Sequence, residues 1–419
     1  MYDVIVIGAR CGGAPTAMLL ARKGYRTLLV DRSRFPSDIP HGHFIQQQGP
    51  VLLNRWGLLE KIAASNCPAI DGFIFDQGDF PLRATDLSAD GVAFGYAPRR
   101  KVLDRILIDA AVAAGVEFRE AFNVTGFIND EGRIAGIRGG DRSGHEFVEL
   151  AKWTVGADGR NSRLAKVVAA ASYEVFPTLT FWCFSYWSGV PSTSVEIYVR
   201  GNRAFFAFPT NDDLFGVFLG APIAELPSGG ATLEEHFTTA VQLVPEFAQR
   251  LNGGRREERF YGAADLPNFF RRPYGPGWAL VGDAGHHKDP YLALGISDAL
   301  RDVELLTDAL DQGFSGRQSF ENSLAEYERR RNEAALAAYR ENLVVAQFSP
   351  PPEELLRLRA ALRDNRAATT RFFMARAGRI PRESFFNPEN IQRIIEKGEL
   401  GSCVLASESQ RKRTEWKCD

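Results

Sequence analysis

Four of the six histidines fall in two short clusters. His41 and His43 lie in Ile39-Pro-His-Gly-His-Phe-Ile-Gln-Gln-Gln-Gly49, and His286-His287 follow Gly282-Asp-Ala-Gly285. An imidazole with an ordinary pKa of about 6.5 exchanges protons near neutrality, so His41, His43 and His287 are the candidate acid–base groups. The alternative for each is a loop histidine that satisfies backbone groups. Their spacing fits no common zinc pattern, and no metal is expected. Gln46 and Gln48 are candidate hydrogen-bonding groups on the first segment. Lys288 and Asp289 are adjacent and are expected to pair with each other.

Three glycine-bearing turns offer a second kind of chemistry, the holding of phosphates and polyols. Gly8-Ala-Arg-Cys-Gly-Gly13 follows the strand-like Asp3-Val-Ile-Val-Ile7 and precedes a helical stretch at 14–23, with Pro15 in its first turn. Backbone N–H groups at such a helix start face a pyrophosphate, helped by about half a positive charge from the helix. Gly12 and Gly13 keep that turn tight. Arg10 stands where the second glycine of G-x-G-x-x-G is usual, so its side chain must turn away or itself touch phosphate. Asp31, followed by Arg32, ends a second strand at Thr27–Val30 and is placed to accept bonds from ribose hydroxyls. The second turn is Gly156-Ala-Asp-Gly-Arg-Asn-Ser-Arg163. The third runs from Gly282-Asp283 through Pro290 to Gly295-Ile296. Each follows a short apolar strand, at 153–157 and 278–281.

Taken in order, the three turns resemble those of flavoprotein monooxygenases of the para-hydroxybenzoate hydroxylase type and their relatives, which include geranylgeranyl reductases and flavin-dependent halogenases. The resemblance covers roughly residues 1–330. It implies non-covalent FAD, with the pyrophosphate at Gly8, Gly12 and Gly13 and the adenosine ribose at Asp31. It also implies that Arg100 (or its neighbour Arg99) lies against phosphate or ribityl, and that Asp158 supports FAD and a passing nicotinamide cofactor. Asp283 would bind the ribityl chain. Gly295 and Ile296 would open a helix toward the electron-rich edge of the flavin. The loop after Gly282-Asp283 departs from relatives, with one glycine left beside the flavin. No second dinucleotide fingerprint is present, so NAD(P)H is expected only as a transient reductant.

In such enzymes one atom of O2 is delivered to an activated carbon while the protein holds substrate and excludes water. The strand-like runs at 180–184, 195–199, 204–208 and 214–219 are rich in aromatic residues. Alternation puts Trp182, Phe184 and Tyr186 on one face, and Phe206 and Phe208 likewise. With Pro290, Gln46 and Gln48 they form the expected pocket, suited to an aromatic or polyketide-like substrate. Equally, aromatic strands make sheet cores. Hydroxylation is the leading expectation. The alternatives are a carbon–carbon double-bond reductase with a long apolar cavity, a halogenase with a lysine facing the flavin–substrate tunnel, and a non-catalytic flavin-bearing scaffold. No Trp-x-Trp-x-Ile-Pro signature of tryptophan halogenases occurs; Trp187-Ser-Gly-Val-Pro191 resembles it only superficially.

These groups need a frame, and the rest of the sequence describes one. The fold class expected is α/β plus β-rich: a Rossmann-like FAD-binding domain with an inserted, mostly antiparallel substrate domain and a helical C-terminal region. The expected division is 1–72, 99–168 and 270–330 for the first domain, 73–98 and 169–269 for the second, and 331–419 for the last. Single helices are expected near 50–63, 101–114, 231–250 and 295–312. The last ten residues, with Arg411, Lys412, Arg413 and Lys417, read as a frayed tail. The 50 basic and 52 acidic residues nearly cancel, which gives no pull toward nucleic acid. Five cysteines, an odd number without metal or disulfide spacing, suit a reducing, cytoplasmic setting. No apolar run reaches the roughly 20 residues of a membrane span. A homodimer is left open.

Overall fold

The computed structural model describes residues 1–398, except residues 40, 47, 142–143, 228–229 and 231. The basic C-terminal tail, Cys403 and Cys418 lie outside the described residues.

The opening strand Tyr2–Ile7 is buried along nearly its whole length, as a central parallel strand must be. It pairs in parallel with Thr27–Val30 on one side and with Ala151–Gly156 on the other. The sheet continues outward to Glu117–Arg119 at one edge, and to Trp278–Leu280 and Tyr274–Gly275 at the other. Alternation gives each face its own core. Val4 and Val6 pack beneath the helices with Ala14, Met18, Leu103, Leu107, Leu300 and Val303. Ile5 and Ile7 pack with Leu28, Val30, Phe122, Val124 and Ile137 on the opposite face. The helices are Gly13–Arg22, Arg100–Ala113 and Gly295–Phe314.

After strands Glu117–Arg119, Asn123–Asp130 and Arg133–Gly140, the short strand expected at 153–157 is the end of an 11-residue strand, Glu146–Gly156. Its first half pairs antiparallel with Gly136–Gly140 and its second half joins the parallel sheet. Two helices also divide. The expected helix near 50–63 is Gly49–Arg55 and Leu59–Ala63, with Gly57 between them at φ +75°. The expected helix at 231–250 is Leu233–Val241 and Pro245–Gly253. Pro245 lacks the N–H that would continue the first helix, and it starts the second instead. A Thr232–Glu235 capping box starts the first of that pair.

A second sheet is built on Thr180–Ser188, Phe215–Pro222, Arg203–Pro209 and Ser194–Arg200, antiparallel in that order. The early strand Gly72–Asp76 adds to it in parallel against Ser194–Tyr198, and Pro81–Ala84 follows. One face carries Cys183, Phe205, Val217 and Leu219 against Phe237 and Phe247 of the helix pair. The other carries Trp182, Phe184, Tyr186, Phe206, Phe208 and Phe218, and packs with the C-terminal Leu358, Phe373 and Phe385. Helix Phe320–Val345 lies against Gly295–Phe314, and Glu353–Leu362, Arg366–Arg376 and a stretch at 388–398 complete the helical region. Among the described residues no helix is long and apolar enough to cross a membrane.

The first turn is the tightest point of the frame. A Cβ on Gly13 would sit 1.7 Å from the Gly8 carbonyl oxygen. Gly13→Ala is therefore expected to lower Tm by on the order of 10 °C, or to prevent folding, because rigid backbone must shift. Gly253→Ala, where a Cβ meets nothing within 4 Å, should leave Tm within about 2 °C. An unchanged Tm for Gly13→Ala in a melting experiment would contradict the close contact.

Candidate active site

The parallel strands point their C-terminal ends the same way, so the turns after Ile7, Val30, Gly156 and Val281 gather at one edge of the sheet. Opposite them stands the aromatic face of the second sheet. Between the two lies a cleft of about 880 Å³. Its walls include Gly8, Arg10, Gly12, Asp31, Arg32, Arg100, Asp158, Gly282, Asp283, Gly295 and Ile296 at one end. At the other are Trp182, Phe184, Phe206, Phe208 and Pro290, with His41, His43 and His287 also lining it.

Asp31 is stitched into the first turn. Its carboxylate accepts the Ala9 N–H at 2.8 Å and the Ser33 N–H at 2.7 Å. Each oxygen keeps a second lone pair for a hydroxyl. Arg10 turns away from the glycine-rich backbone, resolving the choice its position posed. It pairs with Asp104 and reaches Ser37 Oγ at 3.2 Å. Arg100 meets the same buried Asp104 at 3.0 Å. Arg99, the alternative to Arg100, is committed elsewhere: to Glu258 at 2.7 Å, to Asp38, and over the Tyr186 ring at 3.9 Å. Arg100 lines the cleft and Arg99 does not.

This end of the cleft suits a diphosphate joined to polyols. Arg100 Nε and Asp158 Oδ1 are buried without a hydrogen-bond partner. Burial holds the Asp158 carboxyl above its ordinary pKa. A Cβ on Gly295 would meet nothing within 4 Å, so the start of a 20-residue helix stands open toward the cleft. The positive end of that helix favours negative charge placed there. Gly13 does not line the cleft; it packs under Gly8 instead.

The four histidines differ sharply. His43 is buried, with Nδ1 2.9 Å from the Ala97 carbonyl and Nε2 2.9 Å from the Tyr186 hydroxyl. A carbonyl only accepts, so Nδ1 carries the proton and Nε2 accepts from Tyr186 O–H. Burial, then the nearby Arg99, pushes its pKa down to about 3. Both ring nitrogens are occupied, which leaves no lone pair for a substrate proton. His41 touches solvent within the cleft, yet the crowding of protein around it and then Arg100 lower its pKa to about 4. His286 is buried, stacked on Phe270 with ring centres 4.9 Å apart, and its Nδ1 lies 3.1 Å from Asp302. His287 donates from Nδ1 to the Pro267 carbonyl at 2.5 Å. No described residue is bonded to its Nε2. Burial lowers its pKa as well, so its Nε2 is a neutral acceptor in the cleft wall.

Three other readings change. Lys288 does not pair with Asp289; its ammonium goes to Asp298, which also receives Arg301 at 2.5 Å. Helix Gly295–Phe314 brings both partners to the back of the loop. Gln46 donates to the Leu292 carbonyl at 2.7 Å and Gln48 to the Gly378 carbonyl at 3.0 Å. Neither lines the cleft; they brace its walls from behind. Tyr186 also stands behind the wall, bonded to His43. Phe44, Phe218 and Leu266 join the lining without having been singled out, and Asp289 joins it although it was expected only as a partner of Lys288. Phe218 shares its strand face by simple alternation with Gly216 and Gly220, and Asp104 lies at i+4 from Arg100; both signals were in the sequence. Among the described residues no group of three His, Cys, Asp or Glu side chains forms a metal site.

The neutral His43 makes stability depend on pH. In the unfolded chain the imidazole regains a pKa of about 6.5, whereas the folded one stays neutral down to about 3. Between those values the unfolded state binds more protons, so stability falls as pH is lowered through that window. At about pH 5.5 the loss from this group is about 1.4 kcal/mol. Urea unfolding at about pH 7.5 and about pH 5.5 should show His43→Gln losing less stability than the parent by that amount. Equal losses in the two proteins would show that His43 is protonated in the fold.

A family model for an FAD binding domain matches residues 1–342. The 6-methylpretetramide 4-monooxygenase of Streptomyces rimosus is 29% identical over 343 residues, covering 77% of this chain and 78% of that protein. The digeranylgeranylglycerophospholipid reductase of Methanocella arvoryzae is 27% identical over 321 residues, covering 71% of this chain and 74% of that protein. Among solved structures, the myxobacterial chondrochloren halogenase CndH superposes with a TM-score of 0.75 at 20% identity. That match covers 96% of this chain and 97% of the halogenase, and shows a shared fold. The three relatives are named for three different reactions, and the similarity does not choose among them. The chain belongs to the FAD binding domain family and is an FAD-dependent oxidoreductase.

Proposed function

We propose that this protein hydroxylates an aromatic or polyketide-like small molecule with O2 and NAD(P)H. The observation that carries this reading is the continuity of the cleft. One space runs from the diphosphate- and polyol-suited turns to a wall of Trp182, Phe184, Phe206, Phe208 and Phe218. Bound FAD supplies the redox relay by which NAD(P)H and O2 deliver one oxygen atom to the substrate, the other leaving as water.

The chain's own residues do the rest. Gly8, Gly12, Asp31, Arg100, Asp158 and Asp283 would hold the cofactor, and the helix start at Gly295 and Ile296 would favour negative charge placed in the same space. The aromatic wall holds a flat substrate by stacking and excludes water; Phe184 and Phe218 already stack at 4.4 Å. His287 accepts a substrate proton at Nε2, while its Nδ1–H bond to Pro267 fixes the ring. His43, with both nitrogens occupied, orients Tyr186 and shapes the wall. NAD(P)H visits transiently. Lys288 gives its ammonium to Asp298, so it is not the free tunnel lysine that the halogenase alternative requires.

Incubating the holoenzyme with NAD(P)H and a panel of polycyclic phenols, with oxygen uptake and product mass followed together, tests the reaction. A product heavier by one oxygen atom, formed with matching oxygen uptake, is expected. A product heavier by two hydrogens without oxygen uptake would instead establish the reductase. His287→Gln should lower kcat by about a hundredfold or more with FAD still bound. Turnover at the parent rate would remove His287 as the proton acceptor.

A further inference from the structure

Asp289 is a carboxyl group set in the cleft wall among its aromatic residues. It is 1% exposed and lines the cleft beside Pro290 and Trp182. Thr180 O–H donates to its Oδ2 at 2.5 Å, and the Tyr291 N–H to its Oδ1 at 3.1 Å. The Trp182 indole N–H donates in turn to Thr180 Oγ at 2.8 Å. Its backbone is fixed as firmly, by Asn268 at 2.7 Å and Asn342 at 2.8 Å. Strand Thr180–Ser188, the segment before Phe269 and helix Phe320–Val345 therefore all hold this one residue in place.

No described cation pairs with it. Lys288 goes to Asp298, and Arg301 to Asp298 and Asp302. A buried carboxylate without a counter-ion is costly, and burial raises its pKa to about 6. Position-holding does not require the charge. An asparagine could keep the Tyr291 bond at its oxygen and give an N–H to Thr180 Oγ. What a carboxylate adds is a strong acceptor in the cleft wall, held by Thr180 and Tyr291 and close to the Trp182 indole N–H.

We propose that Asp289 is the polar anchor of the substrate subsite, binding the hydroxyl of an otherwise apolar aromatic molecule and so selecting phenolic rings. The anchor rests on the hydroxylase reading and sharpens its substrate class. A ring lying beside Trp182 and Phe206, which stand edge to face, would offer its hydroxyl to Asp289 in the same wall. A molecule without the donor leaves the carboxylate desolvated and unmatched, which is the penalty that makes such a site selective.

The test uses binding to the oxidised holoenzyme without NAD(P)H, so its failure is distinct from failure of the hydroxylation assay. The probes are 2-naphthol and 2-methoxynaphthalene, followed by tryptophan quenching and flavin absorbance. The naphthol is expected to bind about tenfold or more tightly than its ether. In Asp289→Asn that ratio should fall to about threefold or less, with Tm and FAD content unchanged. A purely structural role for Asp289 would weaken both ligands together and keep the ratio. Equal affinities in the parent, a ratio preserved in the variant, or no binding of either probe would overturn the proposal. Should the variant lose FAD, the parent ratio alone decides.

Discussion

A Cβ on Gly8 would lie 2.3 Å from the Ala157 carbonyl oxygen, and one on Gly13 would lie nearer still to Gly8. The turns after the first strand and after Glu146–Gly156 can share one edge of the sheet only because no side chain stands between them. Gly8 also takes φ +101°, which a side chain would strain. Gly12 packs against Val281 and Ala157, which brings the third turn to the same place. The cofactor-suited end of the cleft follows from this backbone contact. Asp31, Arg100, Asp158 and Asp283 come from segments far apart in sequence, yet they line one space.

Charge is distributed around this space with a clear division. In the wall and just behind it four cations are paired: Arg10 and Arg100 on Asp104, and Lys288 and Arg301 on Asp298. Burial alone would raise the Asp298 pKa, but the adjoining Lys288 and Arg301 hold it well below the ordinary carboxylate range, so it remains ionised. On the cleft side His41, His43 and His287 are neutral, because burial of the last two, and the surrounding protein and Arg100 at His41, withhold the second proton. A cleft that pairs these four cations and keeps His41, His43 and His287 neutral suits a ligand whose negative charge sits at one end and whose ring system is apolar.

Much of the frame could be read in the sequence because its signals are local. The run Asp-Val-Ile-Val-Ile before Gly8, the helix from Gly295 and the alternating aromatics of 180–188 each state their own geometry. The fold class and the FAD family were legible for the same reason. The joins between elements were not. Glu146–Gly156 changes partner at Leu150 without any residue that announces it, because pairing depends on strands elsewhere. The helix breaks near Gly57 and Pro245 were visible as residue types, but the apolar periodicity on both sides outweighed them. In the site, the sequence offers residue types but not the directions of their side chains. His43 and His287 look alike in sequence; only the placement of Tyr186 and Pro267 shows that one has a free nitrogen. Lys288 and Asp289 are neighbours in sequence, yet a loop of extended backbone sends them to opposite sides, one to Asp298 and one to Thr180.

The account depends on distant turns closing around one cofactor, and calorimetric titration of the apoprotein with FAD tests that most directly. One saturable site per chain, with heat that is lost when FAD is already bound, is the predicted result. Folded apoprotein that takes up no FAD at saturating concentration would contradict it.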